Sequence, residues 1–345
     1  MMKRILHSVI FVLMAICTAS AQDVHFSQFF NAPQMQNPAL AGSINAREIF
    51  INYRNQWRSV STPFTTFAAS AGGKINKGKS RKGYWAAGGF LYNDQAGDGN
   101  LRTFSGNFGL VRHVRIQKYQ HLGLALSGGF GQRSVNWENF QWGSQYNGNA
   151  YVASLPTGEF MLNDAVRYLD VSTGIVWSFN NTKDLINVTG NNFKQGTVGI
   201  SAHHLNRPNY GFMESGERLK IKYVLHGNFL LSLKNTPLAV GPGFMMYQQG
   251  PNQEIMAGSQ LRYELFSNSK YTGLKQGGGV TVGCFYRVGD AMVFTGMLEV
   301  AQYSFGFSYD MNTSRLVAAS GGRGAFEFCL RIVSLNPYFK ETKIY

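Results

Sequence analysis

The chain has 345 residues, a formal net charge of +14, 40 glycines, 17 tyrosines, 26 phenylalanines and three cysteines. After the first 21 positions no run of 18 consecutive apolar residues occurs, which argues against a helical membrane protein and leaves a closed β-barrel as the way to cross a bilayer. The basic residues are scattered in a chain with an export signal, so anionic lipid head groups or an acidic protein fit the charge better than nucleic acid does.

Residues 1–21 have the pattern of a cleaved signal peptide. Lys3 and Arg4 precede the apolar stretch Val9–Cys17, and Ala19-Ser20-Ala21 supplies the small residues of a cleavage site. We predict that cleavage leaves Gln22 as the first residue and lowers the formal charge by two, from +14 to +12.

The amino-terminal segment, residues 22–46, is too polar and irregular to lie in lipid, and it precedes the first clear strand. It is predicted either to fold into the barrel as a hatch or to form a loose periplasmic arm. The hatch is favoured, because irregular backbone is tolerated at membrane depth when protein encloses it. The residues assigned to the hatch are Phe26, Ser27, Gln28, Asn37, Pro38, Ala39 and Gly42.

Residues 47–333 are predicted to form an all-β, transmembrane outer-membrane β-barrel of about fourteen antiparallel strands. In Tyr303–Met311, for example, every second residue from Tyr303 is aromatic or apolar, with Ser, Gly and Asp between them. A period of two indicates strands with one lipid-facing side and one lumen-facing side. The predicted strands run from Arg47–Trp57 to Arg323–Val333, followed by a tail of residues 334–345. An even number of strands places both termini on the periplasmic side.

This orientation places the longest predicted connection, Arg133–Val166, outside the cell. Exposed aromatic side chains among adaptable polar neighbours suit protein recognition, so the connection is predicted either to dock a secreted protein or to pack on itself over the barrel mouth. On the periplasmic side, Lys74–Lys82 and the tail Asn336–Tyr345 are candidate contacts for other proteins. The aromatic residues of the possible docking loop are Trp137, Phe140, Trp142, Tyr146 and Tyr151.

No pattern of catalytic or metal-binding residues stands out. Asp94–Asn100 looks like the start of a calcium loop, but two ligand positions lack a suitable side chain, so a glycine-rich turn is expected. His203 and His204 are adjacent in a predicted strand and should point to opposite faces, which argues against a shared metal ion. We therefore expect a protein that is not an enzyme and that holds no metal or cofactor. The residues predicted to form a charged wall network in the lumen are Glu299, Asp310, Glu327 and Arg331.

A set of short motifs runs in order across nearly the whole chain after the signal. The motifs are Gln22–Phe30, Asn37–Gly42, Tyr53–Trp57, Asp94–Gly99, His203–Pro208, Gln248–Pro251, Phe305–Asp310 and Gly324–Phe328. This ordered set resembles the PorP/SprF family of outer-membrane proteins of Bacteroidota.

The resemblance implies an outer-membrane component of the type IX secretion system that docks, helps to export or anchors a secreted protein bearing a C-terminal sorting domain. Gliding motility is involved in some relatives. The implied partners are that secreted protein, other secretion components including periplasmic proteins or lipoproteins, and outer-membrane lipid. The start containing Asn37-Pro38-Ala39 also looks like the hatch of fourteen-stranded FadL-type barrels. Passive transport of hydrophobic or small solutes is therefore one alternative, and a structural scaffold of the envelope is another.

Overall fold

The computed structural model describes residues 23–60, 62–75, 82–97, 99–137, 140–158, 164–181, 194–212, 216–266 and 277–333. The predicted signal peptide, the predicted tail and most of Lys74–Lys82 lie outside these residues.

The wall of the molecule is a closed antiparallel barrel, which confirms the predicted fold. Every strand pairs with its neighbours in the chain, and the seam between the first and last strands closes through pairs that run from Glu48–Val333 to Gln56–Ala325. The fourteen strands are β1 Arg47–Gln56, β2 Phe64–Lys74, β3 Gly83–Ala96, β4 Leu101–Gln117, β5 Gln120–Ser134, β6 Ala165–Asn180, β7 Lys194–His203, β8 Lys222–Ser232, β9 Leu238–Gln249, β10 Asn252–Phe266, β11 Gly278–Arg287, β12 Ala291–Val300, β13 Tyr303–Asn312 and β14 Arg323–Val333.

The predicted strand boundaries differ most from the structure at β8. The alternation pattern predicts a strand at Arg218–Lys234, but the strand begins at Lys222. Arg218 instead forms an isolated bridge with Asn209 in the preceding connection. A short stretch of extended backbone in a loop carries the same period-two pattern as a strand, which explains the difference.

The two faces of the wall follow the alternation in the sequence. In β13 the aromatic side chains of Tyr303, Phe305 and Phe307 are exposed on the outer face, whereas Ser304 and Ser308 are buried on the inner face. A closed barrel leaves no free sheet edge, so its backbone hydrogen bonds are met within the wall. The apolar outer face is the surface that lipid covers.

The barrel has two distinguishable ends. We call the end that carries residues 135–164, between β5 and β6, the loop end, and the end where β1 begins and β14 finishes the terminal end. A four-residue helix, Val317–Ser320, lies in the β13–β14 connection at the loop end. No helix in the described ranges combines the length and the apolar character needed to span a membrane.

Candidate functional site

The amino-terminal segment runs inside the barrel from the loop end to the terminal end. Near its start, the carboxylate of Asp23 contacts His204 just beyond the end of β7. Near its finish, the Ala46 carbonyl accepts a hydrogen bond of 2.8 Å from the backbone N–H of Lys74 at the end of β2. Three short helical turns connect these points: Phe29–Asn31, Pro33–Gln36 and Pro38–Leu40.

Asn37 fixes the middle of the segment to three strands. Its Oδ1 accepts a hydrogen bond of 2.9 Å from the Ala39 N–H and so caps the turn Pro38–Leu40. Its Nδ2 lies 3.0 Å from the Ile175 carbonyl on β6, 3.2 Å from the Ile200 carbonyl on β7 and 3.1 Å from His226 Nε2 on β8. One side chain therefore both shapes the segment and attaches it to the wall.

Two glycines provide the space that Asn37 occupies. A Cβ added to Gly174 on β6 would lie 2.0 Å from Asn37 Oδ1 and 3.3 Å from Cδ of Pro38. A Cβ on Gly199 of β7 would lie 2.8 Å from Asn37 Nδ2. These close approaches require glycine, because no Cβ fits at such distances.

The end of the segment packs against β3 to β6 at the terminal end. The Tyr84 hydroxyl donates to the Gly42 carbonyl at 2.8 Å, and Gly42 has a φ of +65° that favours glycine. His113 stacks on Tyr84 and its Nε2 donates to the Ala41 carbonyl at 2.8 Å. Ala39 belongs to the same buried cluster as Ala41.

Near the loop end, Ser27 lies in a buried cluster of charged side chains. Arg54, Asp310 and Glu327 project inward from β1, β13 and β14, and each is no more than 2% exposed. Arg54 Nη1 pairs with Glu327, and Arg54 Nη2 lies 3.4 Å from Asp310 Oδ2. Arg287 on β11 also pairs with Asp310, at 3.1 Å. Buried charges cost several kcal/mol each unless they are paired, so these ion pairs are needed to stabilise the arrangement.

The amino-terminal segment adds hydrogen bonds to this charged cluster. Ser27 Oγ donates to Asp310 Oδ2 at 2.7 Å and accepts from Arg54 Nη1 at 2.6 Å and from Arg287 Nη2. The backbone N–H groups of Ser27 and Gln28 donate to the two Glu327 oxygens at 2.6 and 2.9 Å. Phe26, the residue before Ser27, is buried with Ala68 of β2.

The start of the segment is held by a second set of charges. His204 Nε2 lies 2.7 Å from Asp23 Oδ2, His204 Nδ1 lies 2.9 Å from Asp170 Oδ1, and Lys222 Nζ lies 3.6 Å from Asp23. Burial alone would lower the pKa of His204, but the two carboxylates outweigh it and raise that pKa to about 9. Burial alone would raise the pKa of Asp23, but His204 and Lys222 hold it well below its ordinary value. We therefore assign this contact as an ion pair at neutral pH.

Glu299 and Arg331 lie apart from the Asp310–Glu327 cluster. Glu299 Oε2 accepts from Arg262 Nε at 2.6 Å, whereas Arg331 Nη2 lies 3.7 Å from Glu48 Oε2. All four residues of the predicted charged wall face the lumen, but they belong to three separate groups of ion pairs rather than to one network. The sequence could not separate these groups, because strand pairing decides which charges meet.

His203 and His204 do not point to opposite faces, contrary to the sequence prediction. His203 ends β7 and its Nε2 donates to the Gln36 carbonyl at 3.0 Å. His204 has a φ of +60°, so regular strand alternation ends there and its ring turns toward Asp23. Both rings therefore contact the amino-terminal segment. The calcium-like pattern Asp94–Asn100 begins at the end of β3, where Asp94 accepts from Thr66 Oγ1 at 2.6 Å. The expected turn follows, and in it the Gly97 carbonyl accepts from the Asn100 N–H at 3.3 Å.

Several residues of this site were missed by sequence reasoning. Arg54, Arg287 and His226 each contact the amino-terminal segment from a different strand. Arg54 lies within the motif Tyr53–Trp57, but its role was not predicted. For Arg287 and His226 the available signal was a polar or charged residue on the inner face of a strand, which also describes many wall residues elsewhere in the barrel.

The connection between β5 and β6 is partly packed on itself. The rings of Trp137, Phe140 and Trp142 lie 5.6 to 6.4 Å apart, and Phe212 from the β7–β8 connection meets Trp137 edge-on at 5.9 Å. Phe140 also covers Gly99, where an added Cβ would lie 2.1 Å from the ring.

The two tyrosines of the same connection remain exposed. Tyr146 is 56% exposed and Tyr151 is 40% exposed, and the two form an isolated β-bridge. Three of the five aromatic residues singled out in the sequence thus form a packed base, and two are presented to the surroundings.

Comparisons with known proteins identify a family. The family model described as "Type IX secretion system membrane protein PorP/SprF" matches residues 18–332. A search of curated proteins gives no match.

Solved structures that resemble the chain are outer-membrane proteins of low sequence identity. CdiB from Acinetobacter baumannii is 6% identical with a TM-score of 0.39, and the alignment covers 84% of this chain and 60% of CdiB. The translocator domain of the autotransporter NalP from Neisseria meningitidis is 11% identical with a TM-score of 0.36, covering 83% of this chain and 87% of that one. A bacterial polysaccharide outer membrane secretin is 7% identical with a TM-score of 0.35, covering 84% of this chain and 99% of that one.

These remote structural likenesses carry no argument about function. The family match is of a different kind, because it extends from the amino-terminal segment through nearly all of β14. The chain therefore belongs to the PorP/SprF family of type IX secretion system membrane proteins.

Proposed function

We propose that this outer-membrane component of the type IX secretion system receives a secreted protein with a C-terminal sorting domain at its loop end, and helps to export it or anchor it on the cell surface. The observation that carries the proposal is the pair of exposed tyrosines, Tyr146 and Tyr151, in a connection whose other aromatic rings pack on one another. With both termini in the periplasm, the loop end faces outward.

The tyrosine pair is held in place before any partner binds. Between the two tyrosines, the Asn147 side chain accepts from the backbone N–H groups of Asn149 and Ala150 at 3.0 and 2.9 Å. Beneath them, buried Gln145 accepts from the Tyr151 hydroxyl at 3.2 Å. A preorganised surface of rigid aromatic side chains loses little conformational entropy on binding, which favours recognition of a protein.

The cavity beside the amino-terminal segment supports a receiving role over solute transport. The cavity beside the amino-terminal segment, bounded by Phe26, Phe29 and Tyr247 among others, has a volume of about 30 Å³. That volume accommodates one or two water molecules, whereas sites for drug-sized ligands measure roughly 300–1,000 Å³. Passive transport of a hydrophobic solute through this cavity would require the segment to leave its contacts with the wall. We accordingly assign the segment the role of a hatch.

Substituting the exposed tyrosines tests the docking surface. In the strain of origin, a Tyr146→Ala/Tyr151→Ala variant should release into the medium the secreted protein that wild-type cells retain, because the contact area is lost. A Tyr146→Phe/Tyr151→Phe variant keeps the aromatic area and should retain the protein. Both variants must reach the outer membrane at the wild-type level.

The partner itself is identified by affinity purification of the tagged barrel from outer membranes, followed by mass spectrometry. Recovery of one large protein with a C-terminal sorting domain, lost in the Tyr146→Ala/Tyr151→Ala variant, is the expected result. Normal retention in that variant would refute docking at this loop. Loss of many envelope proteins with no single dependent cargo would instead favour the scaffold. Contacts of Lys74–Lys82 and the tail with periplasmic secretion components remain part of the proposal, and cross-linking in the same preparation tests them.

A further inference from the structure

The outer faces of β4 and β6 mark the boundary of the lipid-facing band at the loop end. On β4, Arg102 is the first outer-face residue at that end, and Phe104, Phe108 and Leu110 follow it on the same face and are all exposed. A charged residue followed by exposed apolar side chains is typical of the edge of the apolar band of an outer-membrane barrel.

The boundary at the loop end carries two arginines on neighbouring positions of the wall. Arg102 on β4 pairs in register with Ser134 on β5, and Gln132 on β5 pairs with Arg167 on β6. Arg167 Nε donates to Gln132 Oε1 at 3.0 Å, which orients its guanidinium along the wall. Because strands lie about 4.8 Å apart, β4 and β6 are separated by roughly 10 Å.

Both guanidinium groups are exposed, and within the described ranges neither has an acidic partner within salt-bridge distance. Directly below them toward the membrane centre, Phe104 and Phe130 form a ring pair at 5.8 Å, and Leu169 of β6 is 72% exposed. The patch thus combines cationic side chains at the interface with an uncovered apolar wall beneath it.

We propose that Arg102 and Arg167, with Gln132 and Ser134 between them, bind the phosphorylated head group of an outer-leaflet glycolipid of the lipid A class. Guanidinium groups bind phosphate through paired, charge-assisted hydrogen bonds, and the hydroxyl and amide groups add neutral ones. The acyl chains of the same molecule cover Phe104, Phe130 and Leu169. A soluble anion would use the arginines but would leave the apolar wall bare, so the arrangement fits a lipid rather than a free ion.

The inference requires only that the loop end faces outward, and it does not depend on which protein docks there. Its test therefore uses purified barrel and lipid alone. The full-length mature protein in detergent is titrated with diphosphoryl lipid A, or with the same lipid after removal of both phosphates, and bound lipid is quantified by native mass spectrometry. Wild-type protein should bind the phosphorylated lipid at least about tenfold more tightly, since each charge-assisted hydrogen bond contributes more than a neutral one.

Three variants decide the outcome. Arg102→Gln/Arg167→Gln should lose the preference for the phosphorylated lipid, and Arg102→Lys/Arg167→Lys should keep part of it because charge remains without the paired geometry. Arg315→Gln/Arg323→Gln changes two other exposed arginines at the loop end and should bind like wild type. A folded barrel is verified for each by its heat-dependent shift in electrophoretic mobility.

Three results would overturn the proposal. The first is an equal affinity of wild-type protein for both lipids, and the second is an unchanged preference in Arg102→Gln/Arg167→Gln. The third is complete displacement of the lipid by millimolar inorganic phosphate, which would identify a site for the free ion. The lipid-binding experiment is independent of the cargo-retention experiment. Loss of cargo retention in the tyrosine variants would not change the conclusion about lipid binding.

Discussion

Asp23 and His204 are 181 positions apart, yet the Asp23 carboxylate lies 2.7 Å from His204 Nε2 at the loop end of the barrel. Because β1 begins at Arg47 at the opposite end, the amino-terminal segment must traverse the lumen before the wall starts. This ion pair therefore attaches the start of the segment to the barrel, and Asn37 attaches its middle.

The ion pair predicts a pH dependence of that attachment. The pKa of His204 is raised from 6.5 to about 9, so its stabilising effect is complete below pH 6.5 and is lost as the pH rises through about 9. The pKa of Asp23 is lowered from 3.8, so its effect is present above pH 3.8 and is lost as the pH falls toward the lowered pKa. Attachment should be strongest between these limits.

A spin label at the start of the segment measures this dependence. The label is placed by Gln22→Cys in a Cys284→Ser/Cys329→Ser background, and its mobility should increase above about pH 9, the pKa of His204. With His204→Gln the label should be mobile at neutral pH and should show no transition near pH 9, since the titrating group is gone. The same transition in both proteins would show that another group controls the attachment.

Gly174→Ala should detach the middle of the segment. The new Cβ would lie 2.0 Å from Asn37 Oδ1, so Asn37 must move and lose its contacts with Ile175 and Ile200. Gly128→Ala is the matched control, because an added Cβ there has nothing within 4 Å. We expect residues near Asn37 to become sensitive to protease and the ionic conductance in planar bilayers to rise, in Gly174→Ala only. Equal conductance in the two variants would count against a hatch held by Asn37.

Glu327→Gln should loosen the segment near Ser27. Removal of one charge leaves the buried Arg54 incompletely paired, and the amide NH2 replaces one of the two oxygens that accept from the Ser27 and Gln28 N–H groups. The expected loss is on the order of 3–5 kcal/mol for a broken buried pair. The barrel should remain closed, because its ladder of backbone hydrogen bonds is intact.

The control for this change is Glu299→Gln. Glu299 is partly exposed and pairs with Arg262 away from the segment, so we expect an effect of at most about 1 kcal/mol. Exchange of the Ser27 and Gln28 amides with deuterium should accelerate in Glu327→Gln and stay at the wild-type rate in Glu299→Gln. Identical protection in both would mean that the charged cluster does not hold the segment.

Phe328→Arg should destabilise the barrel in lipid. Phe328 is 52% exposed on the outer face and pairs with Phe307 in the middle of β13, so the arginine would lie near the centre of the apolar band at a cost of roughly 2–4 kcal/mol. Tyr303→Arg, at the end of β13, should cost about 0–1 kcal/mol because it lies near the interface. Equilibrium refolding into vesicles measures both, and equal costs would contradict the assigned depth of the two residues.

The sequence alone determined the class of fold, the approximate number of strands and the face of each side chain in the clear strands. This was possible because the period of two is local: Phe305 and Ser304 take opposite faces wherever β13 is placed in the sheet. The sequence also identified the polar segment with Ser27 and Asn37 as distinct from the wall.

Only the tertiary structure decided which inner residues meet. Arg54 and Glu327 are register partners across the seam between β1 and β14, and that pairing exists only because the barrel closes. Position 174 must be glycine because Asn37, which is 137 positions away in the chain, occupies the space that a Cβ would fill. Nothing near Gly174 in the sequence indicates this contact. The face of the wall on which a side chain lies is a property of one strand. Contact between side chains in the lumen depends on the register of many strands and on the path of the amino-terminal segment among them.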